Sequence, residues 1–216
     1  LGGVDTQYPR GQFYPGAVQF ALELSLSGDS LKHKHPLHVF RRNNQTQSHD
    51  THKHATHTTN GHSHTPPISK VAVLTARARE LKLFLALRPR GKLDRAYQQA
   101  GESLGLGDWG LGEVHYGSVR EWILQHEKGQ RKFRNFEQMI LRDAAAPNKR
   151  FVLIGDTGER DEEAGRRVAL AYPRKLQAIF MHVVYPLQAA RSAPADTAVN
   201  GVPLLYFRTY LGMLLV

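Results

Sequence analysis

The sequence has no cysteine, fewer acidic than basic residues and no long apolar run. Without cysteine the chain forms no disulfide bond, no thiolate zinc site and no cysteine nucleophile. Its longest apolar stretches, such as residues 177–184, fall far short of the roughly 20 residues that a membrane-spanning helix needs. Disulfide scaffolds, cysteine enzymes and helical membrane proteins are therefore excluded as interpretations of these residues.

Length and composition predict one domain. A chain of 216 residues with 41% hydrophobic content is long enough to bury one sizeable core, so we expect a single domain over residues 1–216. Residues 27–69 differ from the rest because they are polar and hold nine of the 12 histidines. We interpret this stretch as an insertion that is disordered over about 43–67, since it has too little apolar surface to offset the entropy of ordering.

The histidines of the insertion leave a second interpretation open, a metal-binding tract. The candidate ligands are His49, His52, His54, His57, His62 and His64. A metal buffer of this kind would lose its affinity for zinc or nickel when residues 43–67 are deleted.

The net charge of +10, with a pI near 10.0, allows nucleic acid, an anionic membrane surface or a phosphorylated substrate as partner. The basic residues are scattered, for example Arg77, Arg79 and Lys82. They lack the aromatic residues that alternate with basic ones in RNA-binding sheets. We therefore expect no nucleic-acid partner.

Helical and extended patterns alternate along the rest of the chain, which predicts an α/β fold with a doubly wound parallel sheet. The predicted helices span residues 15–25, 76–87, 92–101, 132–145 and 161–172, with a short apolar helix after 207. The predicted strands span residues 71–74, 113–116, 151–155, 176–184 and 204–207.

One glycine-rich stretch, residues 105–110, matches the dinucleotide-binding fingerprint letter for letter. The fingerprint must follow a strand and open a helix, because it directs a helix N-terminus at pyrophosphate. Here a helical pattern precedes the stretch and an extended pattern follows it. We therefore interpret it as a surface turn.

Residues 151–161 carry the strongest functional signal. The apolar run Phe151–Ile154 ends in Gly155 and Asp156, and a second aspartate follows at Asp161. A buried parallel strand with this pattern delivers carboxylates to the sheet edge where α/β proteins bind ligands. Because Mg²⁺ prefers oxygen ligands, both aspartates are candidate metal ligands. The alternative is that they cap the helix that follows.

Two further side chains suit phosphoryl chemistry. Thr75 ends the predicted strand over 71–74, where its hydroxyl would donate a hydrogen bond to a phosphoryl oxygen. Lys132 opens a predicted helix, where its ammonium group would offset developing negative charge. Taken singly, Thr75 is equally an ordinary helix cap and Lys132 a solvated lysine. Their order along the chain, followed by two aspartates, favours the functional interpretation.

The order and spacing of Thr75, Lys132, Asp156 and Asp161 resemble motifs two, three and four of the haloacid dehalogenase-like superfamily. Longer segments are similar to the catalytic domain of phosphatidate phosphatases of the actin-patch-protein type, in a plant or algal branch. These segments are Gln7–Gly16, Leu74–Ala78, Lys132–Ile140, Arg150–Asp161, Tyr172–Pro173, Leu176–Val184 and Phe207–Tyr210. The resemblance extends over nearly all of the chain outside the insertion.

The resemblance implies a haloacid dehalogenase-like, Rossmann-like fold and a Mg²⁺-dependent phosphatase for phosphatidate or another phosphomonoester. In that mechanism a nucleophilic aspartate forms an aspartyl-phosphate, a second aspartate protonates the leaving alcohol, and water hydrolyses the intermediate. By resemblance, Asp156 and Asp161 belong to the metal site, Thr75 binds the phosphoryl group and Lys132 stabilises its charge. A lipid substrate suits a cytoplasmic protein that also binds the anionic surface of membranes.

The family's nucleophile motif, Asp-x-Asp-x-Thr, does not occur in the 216 residues. Since the resemblance places it just upstream of Leu1, we expect that the chain lacks the first strand of the sheet and is inactive as it stands. The alternative is a pseudophosphatase that keeps the fold as a lipid- or protein-binding module. His182 stands where the family pattern has arginine, and we interpret it as a partly buried core residue.

Overall fold

The computed structural model describes residues 7–9, 11–27, 68–78, 89–117, 128–143, 149–184 and 194–214. The helices in these ranges are α1 (Ala17–Leu26), α2 (Lys92–Glu102), α3 (Lys128–Arg142), α4 (Asp161–Ala171) and α5 (Tyr210–Leu214), with a 3₁₀ turn over Pro173–Lys175. The strands are β1 (Val71–Ala78), β2 (Leu111–Gly117), β3 (Phe151–Asp156), β4 (Leu176–His182), β5 (Thr197–Val199) and β6 (Val202–Phe207). The predicted insertion over 43–67 and its histidines lie outside the described residues.

The strands of the described ranges form two sheets. In the first, β1 and β2 pair in parallel. In the second, the order is β3-β4-β6-β5, and only β5 runs antiparallel to its neighbour. The mixed α/β class and the parallel pairing agree with the prediction from sequence, whereas the short strand β5 was not predicted. A single continuous sheet stays a prediction, because the described strands are divided between two.

The four-stranded sheet has a hydrophobic cluster on each face, and its central strand β4 is almost fully buried between them. Ile179 and Met181 point into a cluster with Phe136 of α3 and Val168 of α4. On the opposite face, the aromatic cluster consists of Tyr14, Phe20, Phe180, Phe207 and Tyr210 with their aliphatic neighbours. A strand with apolar side chains on both faces is typical of a parallel sheet between two helical layers.

Two predicted boundaries are wrong. β1 continues through Ala78, which is in register with Gly117 of β2, so Thr75 lies inside the strand and not at its end. Ala and Arg after Thr75 favour a helix by propensity, but pairing with β2 overrides that weak local preference. Helix α3 begins at Lys128, so that Lys132 is its fifth residue and not its first. Most of the helix predicted over 76–87 lies outside the described residues.

The fingerprint-like stretch 105–110 lies in the turn between the end of α2 and the start of β2. The turn closes through hydrogen bonds from the N–H groups of Leu106 and Trp109 to the carbonyl oxygen atoms of Gly101 and Leu106, both at 2.9 Å. The Trp109 ring is buried and stacks on Tyr97. The prediction of a turn is confirmed, and the stretch opens no helix that would face a nucleotide.

Candidate active site

Asp156 lies at the carboxyl end of β3, beside the end of β4. It is in register with His182, and the next residue, Thr157, donates its backbone N–H to the His182 carbonyl oxygen at 3.0 Å. The Oδ1 atom of Asp156 accepts a hydrogen bond from the backbone N–H of Gly158 at 2.9 Å. The turn after β3 therefore holds this carboxylate at the edge where open α/β sheets bind their ligands.

Asp161 is the first residue of α4, and it joins Asp156 to Lys132. Its Oδ2 atom accepts a hydrogen bond from the backbone N–H of Asp156 at 3.1 Å, and its Oδ1 atom contacts Nζ of Lys132. The same Nζ donates to the carbonyl oxygen of Glu159 at 3.1 Å. Lys132 is buried where α3 packs against α4. The fold thus gathers three of the four predicted site residues in direct contact.

Burial raises the pKa of both aspartates. For Asp156 the loss of hydration is the largest cause, and it is opposed by the N–H of Gly158 and by the charge of Lys132. For Asp161 the loss of hydration is again largest; the charge and hydrogen bond of Lys132 oppose it, while the charge of Asp156 raises the pKa further. Ionisation of both carboxyl groups is therefore unfavourable in this environment, and a bound cation would stabilise their charged forms.

Thr75, the fourth predicted residue, contacts helix α3, which also carries Lys132. It is buried in β1, and its carbonyl oxygen accepts a hydrogen bond from Nδ2 of Asn135 at 3.2 Å. The same amide group lies 3.5 Å from the carbonyl oxygen of His115 in β2. Asn135 follows Lys132 by three residues on α3. The helix therefore contacts the first sheet through Asn135 and the residues after β3 through Lys132.

Sequence reasoning missed Asn135, which is 7% exposed. It lies between Phe133 and Phe136, two aromatic residues of the amphipathic helix α3. The available signal was an amide side chain three residues after Lys132, on a helix with a strongly apolar face. A buried amide must find hydrogen-bond partners, and here the backbone of β1 and β2 supplies them.

A cavity of about 240 Å³ adjoins the carboxyl ends of β4 and β6. It is lined by Tyr8, Tyr14, Pro15, His182, Thr209, Tyr210 and Leu211. His182 is 1% exposed, which confirms its predicted burial, and its Nε2 donates to the carbonyl oxygen of Arg208 at 2.9 Å. Burial raises the pKa of Tyr210, and the charges of Asp156 and Asp161 are among the causes that raise it further. Because His182 lines the cavity and is in register with Asp156, the cavity lies close to that aspartate.

The donor set of this edge suits Mg²⁺. Among the residues that the structure describes, no three His, Asp or Glu side chains gather in one metal-binding group. Mg²⁺ nevertheless binds commonly through one or two carboxylates and keeps several of its water ligands, so a pair of aspartates is a sufficient set. Both carboxylate oxygen atoms of Asp161 already have protein partners. The Asp156 carboxylate accepts hydrogen bonds from the backbone N–H groups of Gly158 and Glu159, but it has no ion-pair partner among the described residues. Asp156 is therefore the better placed of the two predicted ligands to bind a cation.

Residues 95–183 match the family model described as phosphatidate phosphatase APP1, catalytic domain. The match covers less than half of the 216 residues; it includes Lys132, Asp156 and Asp161, and Thr75 lies outside it. It indicates a phosphatidate phosphatase-like hydrolase and agrees with that part of the resemblance seen in the sequence. No curated protein and no solved structure matches the chain significantly.

Gly155 is packed too closely against the site to carry a side chain. A Cβ atom at this position would collide with Asp161 and lie 2.9 Å from the Cε atom of Met181. Gly155→Ala should therefore displace the Asp161 carboxylate and lower the free energy of unfolding by about 1–3 kcal/mol. Urea denaturation at neutral pH measures the difference.

Gly107→Ala is the matched control, because a Cβ atom at Gly107 would have no atom within 4 Å. We expect its effect to stay within about 0.5 kcal/mol. Equal losses of stability in the two variants would contradict the close packing of Gly155 against Asp161.

Proposed function

We propose that this chain is the catalytic part of a Mg²⁺-dependent phosphatase that hydrolyses phosphatidate or a closely related phosphomonoester. The observation that supports the proposal most strongly is the contact of Lys132, Asp161 and Asp156 at the carboxyl edge of β3. All three residues lie within the segment that matches the phosphatase family. A cation-binding carboxylate pair beside a buried lysine is suited to a substrate that carries a phosphoryl group.

The contacts of Asp156, Asp161 and Lys132 support a role for each of these residues. When bound, Mg²⁺ would supply a Lewis acid for the phosphoryl oxygen atoms. Asp156 would hold the ion, and Asp161 orients both the Asp156 backbone and the Lys132 ammonium group. Lys132 offsets negative charge that develops on the phosphoryl group. In this proposal the hydroxyl of Thr75 donates a hydrogen bond to a phosphoryl oxygen.

The proposal further includes an additional strand that carries the nucleophilic aspartate, and the edges of the two sheets are suited to such a strand. In the described ranges, β1 and β3 are each the last strand of a sheet, and helix α3 contacts residues beside both. Ile154 in β3 is 36% exposed, although the central strand β4 is almost fully buried. A parallel strand between β1 and β3 would cover these edges and join the two sheets into the doubly wound, haloacid dehalogenase-like sheet.

Charge and surface fit a lipid substrate. The net charge of +10 favours contact with anionic lipid headgroups, each basic residue near the surface contributing about 1 kcal/mol. Every helix that the structure describes is too short or too polar to span a bilayer. The proposal includes a cytoplasmic enzyme that binds reversibly to the anionic membrane surface presenting its substrate.

A second candidate is a pseudophosphatase that binds lipid or protein without turnover. The observation that favours it is the absence of an Asp-x-Asp-x-Thr motif from the 216 residues. The two candidates agree on the fold and on phosphate recognition. They differ in whether phosphate is released.

Phosphate release from phosphatidate tests the proposal. The protein encoded by the complete reading frame is incubated with phosphatidylcholine vesicles that contain phosphatidate, with Mg²⁺ or with EDTA, and inorganic phosphate is measured. We expect release in Mg²⁺ that stops in EDTA. Vesicle binding without any phosphate release would favour the pseudophosphatase, and release that is equal in EDTA would refute the Mg²⁺-dependent mechanism.

A further inference from the structure

Arg131 is a fully buried cation that has no hydrogen-bond partner among the residues that the structure describes. It is 1% exposed, and among the residues that the structure describes none hydrogen-bonds to its Nε, Nη1 or Nη2 atoms. A guanidinium group has five N–H donors and stays charged at every physiological pH. Burying an ionised group without a partner costs several kcal/mol, so proteins seldom leave such a group unpaired. This arginine is therefore a candidate binding site for an anion.

The position of Arg131 on α3 assigns it to the proposed phosphate site. The next residue, Lys132, contacts Asp161, so this end of the helix lies at the carboxyl edge of β3. Asn135, four residues after Arg131 and on the same face of the helix, bonds to the carbonyl oxygen of Thr75. Arg131 is about one helical turn nearer to that edge than Asn135, and helical side chains lean toward the helix N-terminus.

The charges at this end of α3 favour an anion. The first turn of α3 has no acidic residue, whereas the first turn of α4 has three. A helix N-terminus carries a partial positive charge that such acidic residues normally offset. Lys132 is neutralised by Asp161, but Arg131 has no counter-charge among the described residues. The Glu163 carboxylate of α4 packs against Gly129 in the first turn of α3, so the helix terminus has an acidic neighbour. The buried guanidinium group of Arg131 is the charge that has no partner among the described residues.

We propose that Arg131 binds the phosphoryl group of the substrate, as a second cation beside Lys132. This inference rests on the proposed phosphatase function and adds a recognition residue to it. The planar guanidinium fork suits two phosphate oxygen atoms at once, which the point charge of a lysine does not. Since its nitrogen atoms are closed to solvent, the phosphate reaches them by displacing the side chains that cover them. Binding then removes the cost of an unpaired buried charge.

Thermal unfolding of the 216-residue chain, with inorganic phosphate as the probe and chloride at equal ionic strength as the reference, tests this role. Phosphate should raise the melting temperature of the unmodified chain in a saturable way. Arg131→Met should melt higher than the unmodified chain without phosphate, because an apolar side chain of similar length replaces an unpaired charge, and it should lose the phosphate effect. Arg134→Met, which changes an exposed arginine of the same helix, should behave like the unmodified chain.

Arg131→Lys is the second variant. It keeps the positive charge but lacks the planar guanidinium group that binds two phosphate oxygen atoms at once. We expect its phosphate affinity, measured by titration calorimetry, to fall by about tenfold or more. The role of Arg131 is refuted if phosphate does not stabilise the unmodified chain, if Arg131→Met keeps the phosphate effect, or if Arg131→Lys binds as tightly as the unmodified chain. These measurements need no turnover. A protein that binds phosphate through Arg131 but never releases it from phosphatidate would refute the phosphatase proposal alone.

Discussion

Replacing Asp156 with Asn should reduce Mg²⁺-dependent phosphate release at least about a thousandfold. Asp156 ends β3, and its carboxylate has no ion-pair partner among the described residues, whereas Asp161 is paired with Lys132. An amide oxygen is a weaker ligand for a hard cation than a carboxylate, and the several kcal/mol that a bound metal contributes correspond to about three powers of ten in rate. The measurement is kcat with phosphatidate vesicles and saturating Mg²⁺, using the protein encoded by the complete reading frame.

The fold of the Asp156→Asn variant should survive, because the change removes a carboxylate whose ionisation burial opposes. Its melting temperature without Mg²⁺ should be at least that of the unmodified protein, and the stabilisation by Mg²⁺ should disappear. Asp108→Asn is the control, since Asp108 is exposed in the turn after α2. Unchanged turnover in the Asp156 variant would exclude Asp156 from the metal site.

Replacing Lys132 with Met should have the largest effect on stability, about 3–5 kcal/mol at neutral pH. The ammonium group is the partner of Asp161, and the two side chains are only 10% and 19% exposed. Removing one member of a buried pair leaves the other charge without compensation, which costs far more than the pair itself contributes. Urea denaturation at pH 7 measures the loss.

The exposed pair of Lys149 and Asp143 supplies the control. Their side chains are 52% and 30% exposed, so Lys149→Met should cost less than about 1 kcal/mol. The double variant Lys132→Met with Asp161→Asn should recover much of the loss, because no unpaired charge remains. A loss from Lys132→Met as small as that from Lys149→Met would show that the pair is not buried in solution.

The cost of Lys132→Met should also depend on pH. Burial raises the pKa of Asp161 above its unfolded value, and Lys132 is the main opposing influence. A carboxyl group whose folded pKa is raised destabilises the fold above its unfolded pKa, and protonation removes this cost as the pH falls. The difference in stability between the variant and the unmodified chain should therefore shrink between pH 7 and pH 5. A difference that grows over this range would assign the loss to packing and not to charge.

The candidate site was predictable where its signal is local. The run Phe151–Ile154 followed by Gly155 and Asp156 predicts a strand that ends in a carboxylate, and β3 spans this run. Asp161 opens α4, as its acidic first turn predicts. Patterns of this kind lie within about ten residues of the chain, where apolar runs and helix-start signals are most informative.

The contacts that unite the site join residues far apart in the chain. Lys132 and Asp161 are separated by 29 positions, and Asn135 and Thr75 by 60. The correct end of β1 depends in the same way on pairing with β2, which local propensity cannot express. Interactions at such separations are set by how the helices and sheets pack, and no local pattern encodes them.

The sequence by itself determined the chemistry that this protein has available: oxygen ligands at a strand end, a lysine and a threonine in order, and no thiol. These follow from residue type and local periodicity. Only the tertiary structure decided that Lys132 contacts Asp161 and that Asn135 connects α3 to the first sheet. It also decided that Arg131 is buried with no hydrogen-bond partner among the described residues. Burial and pairing depend on what the rest of the chain brings to each side chain, and that is settled when the helices and sheets pack together.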